Sequence, residues 1–116
     1  MKNELEGRTL QFALTAIAFV NSLPRNTAGA VIGRQLLRSA TSIGANYREA
    51  QRAESKADFI HKVAVAEKEA AETEYWLILC LESGLAPAET DKLLLETREL
   101  LAILVTIGRN TKRNLK

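Results

Sequence analysis

The chain has 116 residues, 47% of them hydrophobic and 26% charged, with a formal charge of +2 and a single cysteine. That length holds one hydrophobic core, and the composition excludes a disordered chain and an internal disulfide. No signal-peptide core opens the sequence and no apolar run approaches the length of a bilayer span, so a soluble protein of the reducing cytoplasm is expected.

Three interruptions divide the chain: Leu23-Pro24-Arg25-Asn26-Thr27, Glu54-Ser55 and Ser83-Gly84-Leu85-Ala86-Pro87. The segments between them are rich in Ala, Leu, Glu, Arg and Lys and nowhere alternate with period two, which predicts four helices at about 5–23, 28–54, 56–83 and 89–112. In the first, Leu5, Thr9, Phe12, Ala16, Phe19 and Leu23 recur at three and four residues until Pro24 stops the helix. In the second, Ile32, Leu36, Ala40, Ile43 and Tyr47 form one stripe, with Leu37 and Gly44 beside it. A mid-helix glycine costs about 1 kcal/mol relative to alanine, so Gly44 predicts a close approach by a neighbouring helix.

The third helix has the clearest start. Ser55 is placed to cap the Asp58 amide while the Asp58 carboxylate reaches back, a capping box. Phe59, Val63, Ala66, Ala70, Thr73, Leu77 and Cys80 then make a seam with small residues in its middle. Gly84 suits a left-handed terminus, and Pro87 delays the fourth helix until Glu89-Thr90-Asp91. That helix carries Leu93, Thr97, Leu100, Leu104 and Ile107, widened by Leu94, Leu101 and Val105, before a basic tail expected to fray. Short connections favour antiparallel neighbours, so the reading is all-α: one domain over 1–116, an antiparallel up-down-up-down four-helix bundle.

Charge is unevenly shared. Residues 24–54 hold five arginines against Glu49 and Glu54, a local +3, while residues 55–84 hold Lys56, Lys62 and Lys68 against six carboxylates, a local −3. Arg48, Arg52 and Lys56 follow one another at four-residue steps, as do Arg34 and Arg38. If helix two runs to Glu54, the late cations share a face able to track a phosphate backbone. With Arg109, Lys112 and Arg113 of the tail they form the nucleic-acid-binding candidates, although a solvated helical face explains such a stripe more often than nucleic acid does. The acidic set Glu67, Glu69, Glu72 and Glu74 offers a counterpart for arginines of a neighbouring subunit.

Chemistry finds no foothold. Asp58 and His61 have the spacing of a di-iron bundle motif, but there is no second histidine to complete one. Cys80 lies in an apolar run away from that histidine, and no glycine-rich phosphate loop is present, so no catalytic residue, metal ligand or cofactor is assigned. Tyr75 and Trp76 lie off the centre of the third seam, so at least one leaves the core. It is either covered by another helix of the same chain or buried between subunits, where Trp and Tyr are enriched. Asn46 and Glu49 share a face, for cross-helix hydrogen bonds or for RNA contact.

Gln35-Leu36-Leu37-Arg38-Ser39-Ala40, Ser42-Ile43-Gly44-Ala45-Asn46-Tyr47-Arg48-Glu49-Ala50, Ser55, Asp58-Phe59-Ile60 and Ala66-Glu67-Lys68-Glu69-Ala70-Ala71-Glu72-Thr73 resemble the four-helix-bundle proteins encoded in intervening sequences of 23S ribosomal RNA genes. Accessory proteins of diversity-generating retroelements are related bundles. The resemblance implies a ring-like homopentamer without enzymatic activity. For the retroelement relatives it also implies partnership with a reverse transcriptase and with nucleic acid, RNA or DNA, through a basic outer surface. The family commonly has Asn-Ile-x-Glu-Gly where this chain has Asn46-Tyr47-Arg48-Glu49-Ala50, and loss of that glycine favours a helix continuing past Ala50.

Overall fold

The computed structural model describes residues 4–85 and 87–113. Met1-Lys2-Asn3, Ala86 and the last three residues of the tail, including their expected fraying, lie outside the described residues. Four helices follow in order: α1 (Glu4–Asn21), α2 (Thr27–Gln51), α3 (Lys56–Glu82) and α4 (Thr90–Arg113), with no strand among the described residues. They form an elongated bundle of about 50 × 22 × 21 Å.

Consecutive helices run antiparallel, as their pairings show. Thr9 lies against Gly44 and Val20 against Gly33 between α1 and α2. Ser39 meets Thr73 and Glu49 meets Lys62 between α2 and α3. Glu74 meets Arg98 and Val63 meets Gly108 between α3 and α4. α1 packs mainly on α2 and touches α4 least, while α1 and α3 stand on one diagonal and α2 and α4 on the other.

The expected stripes are the core. Phe12, Ala16, Phe19 and Leu23 meet Leu36, Ala40, Ile43 and Tyr47, and Val63, Ala66, Ala70, Leu77 and Cys80 meet Leu93, Leu100 and Leu104, all of them buried. Leu5, Ile32, Phe59 and Ile107 are only half-buried at the edges. Buried hydroxyls stay satisfied by bonding back into their own helices: Thr9 donates to the Glu6 carbonyl and Thr97 to the Leu93 carbonyl. No buried side-chain polar atom among the described residues lacks a partner. Back-bonded threonines can therefore occupy core positions without leaving a desolvated donor, which would cost about 1–3 kcal/mol.

Two helix ends fall short of expectation. α1 stops at Asn21 because the residue before Pro24 is pushed out of helical geometry. The amides of Ser22 and Leu23 close turns onto Phe19 and Val20, and Leu23 plugs the core beneath. α2 stops at Gln51, not Glu54, without glycine or proline to end it. Arg52 and Ala53 donate to the carbonyls of Glu49 and Ala50 in a tightened last turn. The next residues are recruited by α3: Ser55 is extended so that its hydroxyl accepts from the Asp58 amide at 3.1 Å, and the Asp58 carboxylate accepts from the Glu54 amide at 3.3 Å. The N-cap of α3 thus competes for the residues that would lengthen α2. The α3–α4 connection uses Gly84 with φ at 81°, in the left-handed region, as expected.

Candidate nucleic-acid interface

The early end of α2 breaks the presumed Arg48-Arg52-Lys56 stripe. Arg52 caps α2, whereas Lys56 opens α3, so the two do not lie on one helix face. The antiparallel order nevertheless returns the chain to the same place. α2 and α4 end where α3 begins, and Thr111 of α4 lines a surface depression with Ser55, Lys56 and Phe59. Arg109 and Lys112 border a groove over Ile60, Ala64 and Val105 one turn further along. Arg48, Arg52, Lys56, Arg109, Lys112 and Arg113 are thereby gathered at one end of the bundle. Lys112 and Arg113 occupy the last turn of α4, where cations also meet the negative end of the helix dipole.

Arg34 and Arg38 stand apart. Arg34 is eighteen residues before Arg52, roughly 27 Å along the helix axis, and borders a groove at the opposite α1–α2 turn. Arg38 is taken up within the chain, with one guanidinium nitrogen on Glu72 and another 3.5 Å from Glu69. Glu69 and Glu72, offered above as counterparts for another subunit's arginines, thus have a partner within their own chain. Glu74 is likewise engaged, by Arg98 at 2.7 Å. Arg48 makes a loose ion pair with Glu6 at 3.8 Å. Arg52, Arg109, Lys112 and Arg113 make no ion pair among the described residues, although Glu54 shares their end of the bundle.

The Arg38 pairing also fixes an aromatic. The Trp76 indole N–H donates to the Glu72 carboxylate at 3.1 Å, and the ring is half-buried against the core. Tyr75 meets it edge-on, ring centroids 5.2 Å apart, but stays 55% exposed. Of the two proposed interface aromatics, Trp76 is therefore largely occupied within its own chain and Tyr75 is the one left facing outward.

Hydrogen bonds from Trp76 and then Arg38 hold Glu72 below its ordinary value near 4.5. A carboxylate depressed in the folded state contributes stability that is present above the unfolded pKa and lost as pH falls through the folded one. Glu72→Gln is therefore expected to melt below the native chain at pH 7, with the gap closing as pH falls below about 4.5. Thermal melts at pH 7 and pH 3 check this, and a gap independent of pH would remove the proposed role of the ionised group.

The remaining candidates resolve simply. The Asn46 amide donates to the Ser42 carbonyl at 2.8 Å and Glu49 accepts from Lys62 at 2.7 Å, so both make structural bonds. His61 is exposed, and no cluster of metal-binding side chains occurs among the described residues. Cys80 is fully buried, and burial pushes its thiol pKa up, the opposite of an activated nucleophile.

The model of the 23S rRNA-intervening sequence protein family matches residues 2–106. The chain belongs to this family. Among solved structures, a Bacteroides thetaiotaomicron protein of unknown function from the S23 ribosomal protein family is similar at 38% identity and a TM-score of 0.85, covering 94% of this chain and 99% of that one. A comparison with curated proteins finds no match. Family membership accounts for the four-helix architecture. The basic end, by contrast, draws on both the α2–α3 turn and the end of α4. Arg109, Lys112 and Arg113 also lie beyond the matched residues.

Proposed function

We propose that the protein is a non-enzymatic, cytoplasmic homo-oligomer that binds RNA through the basic end of each bundle. The reading rests on the convergence of Arg52, Lys56, Arg109, Lys112 and Arg113 from three helices, four of them without an ion pair among the described residues. Exposed guanidinium and ammonium groups so placed meet phosphates at little desolvation cost, and binding releases counterions. One such patch on a +2 subunit is weak. A ring of subunits, such as the pentamer expected of this family, repeats it and gains avidity.

Arg52→Glu/Lys112→Glu in the intact oligomer is expected to lower RNA retention at least ten-fold and to reduce the slope of log K against log salt by about 1.4 for a single strand. Arg34→Glu, at the other end, is expected to change neither. Filter binding across a salt series decides between them, and unchanged retention in the double variant sinks the reading.

A scaffold reading, in which the bundle docks a protein of the reverse-transcriptase type and nucleic acid is not its own ligand, draws on a different observation. Leu10, Leu14 and Ile17 stand exposed on α1. A specific protein retained after nuclease treatment, with no RNA retention by the purified oligomer, would favour it.

A further inference from the structure

The groove between α3 and α4 has a cationic end and an anionic end. Ile60, Val63, Ala64 and Val105 supply its apolar lining, Arg109 and Lys112 border it, and Glu67 faces it as well. Val63 stands level with Gly108, and the two helices are antiparallel, so Glu67 lies four residues to one side of that level and Lys112 four residues to the other. The carboxylate and the ammonium are thus set roughly 12 Å apart along the bundle axis.

Two features of this groove are not explained by the packing of the bundle. Glu69, Glu72 and Glu74 are paired within the chain, whereas the half-buried Glu67 side chain makes neither an ion pair nor a hydrogen bond among the described residues. The second is Gly108. A methyl there would make one ordinary contact, with Val63 Cγ1 at 3.8 Å, so close helix approach does not demand the glycine. It gives up helix propensity and leaves the wall of the groove open.

We propose that this groove receives one unstacked guanine of a single-stranded RNA, its N–H edge on the Glu67 carboxylate and its flanking phosphates on Arg109 and Lys112. This deepens the RNA reading above and rests on it. A volume of about 230 Å³ falls short of the roughly 300–1,000 Å³ of a pocket for a drug-sized ligand, and suits a single flat ring system on an apolar surface. An ionised carboxylate only accepts hydrogen bonds and repels phosphate, so its place beside a phosphate-binding end is at the donor edge of a base. Guanine offers N1–H and the N2 amino group side by side, one donor for each oxygen. Uracil offers one N–H between two carbonyls, which a carboxylate repels. In a duplex those edges are already paired, so the bound strand is single. The separation of the two ends of the groove matches the reach of a nucleotide from phosphate to base edge.

Filter binding on the full chain, with oligouridine and the same oligouridine carrying one central guanosine, tests this. The guanosine strand is expected to bind about ten-fold more tightly, the discrimination of one bidentate contact, and inosine, which lacks the N2 amino group, is expected to lose most of that gain. Glu67→Gln is expected to close the gap between the strands. If Glu67 acted only as a charge, the same variant would instead strengthen both strands alike and keep the gap, which overturns its role. Gly108→Leu, which fills the groove, is expected to abolish the preference while oligouridine binding and helicity by circular dichroism are retained. A native chain that binds both strands equally overturns the guanine site and leaves RNA binding standing. Failure to retain either strand at low salt overturns both.

Discussion

Leu77→Ala is expected to lower the stability of the bundle by about 2–5 kcal/mol, the range for deleting a fully buried leucine when the surroundings collapse only partly. Leu77 has no exposed surface and sits on the seam of α3, the helix against which both α2 and α4 lean. Its neighbours along that seam, Thr73 and Cys80, are small and fully buried, so neither fills the vacated space. Against a total of roughly 5–15 kcal/mol for a domain of this kind, the loss is a large fraction. The melting midpoint should fall by on the order of 10 °C or more. Urea denaturation should show a lower midpoint at unchanged slope, since the same surface is exposed on unfolding. Tyr75→Ala, two residues earlier but outward-facing, is expected to cost less than about 1 kcal/mol in the monomer. A Leu77→Ala loss as small as that of Tyr75→Ala would show that the core beneath α3 is not close-packed.

Alanine at the glycines should produce effects of both signs, ordered by what the new methyl meets. At Gly29 it would drive into the Pro24 carbonyl oxygen, a backbone atom that cannot rotate away. Gly29 also donates its amide to the Asn26 cap at 2.8 Å, so relieving the clash breaks the cap. Overpacking and cap loss together cost about 2–4 kcal/mol. At Gly44 the methyl would lie 3.0 Å from the Thr9 hydroxyl oxygen across the α1–α2 contact, and a shift of a few tenths of an ångström costs about 1–2 kcal/mol. At Gly108 the nearest atom is Val63 Cγ1 at 3.8 Å, an ordinary contact, so Gly108→Ala gains up to about 1 kcal/mol of helix propensity. Chemical denaturation of the three variants checks the order. Gly108 below Gly44 in stability, or a neutral Gly29→Ala, would contradict the packing described.

Gly44 was legible before the fold was known, because a mid-helix glycine flanked by apolar residues signals close approach. Gly29 was not, since its constraint comes from a carbonyl five residues earlier that folds back over the helix start. The basic site shows the same limit. Arg48, Arg52 and the α4 cations could be found by counting charges. Their convergence depends on antiparallel order, and the engagement of Arg38 depends on which α3 carboxylates face it across the α2 groove. The outer stripe of α1 carried a local signal, the uncharged run from Thr9 to Pro24, but apolar periodicity alone cannot say which of two faces the bundle will cover.

The sequence by itself determined the four helices, their inward stripes, the Pro24 and Gly84 stops and the Ser55 cap. Those features depend on local backbone preference and on period, which neighbouring residues encode directly. Only the tertiary structure decided that α2 yields its last residues to the cap of α3, that Glu69, Glu72 and Glu74 are spent within the chain, and that Leu10, Leu14, Ile17 and Tyr75 remain uncovered. Each of those outcomes is a competition between partners distant in sequence, and their relative positions exist only once the helices have packed.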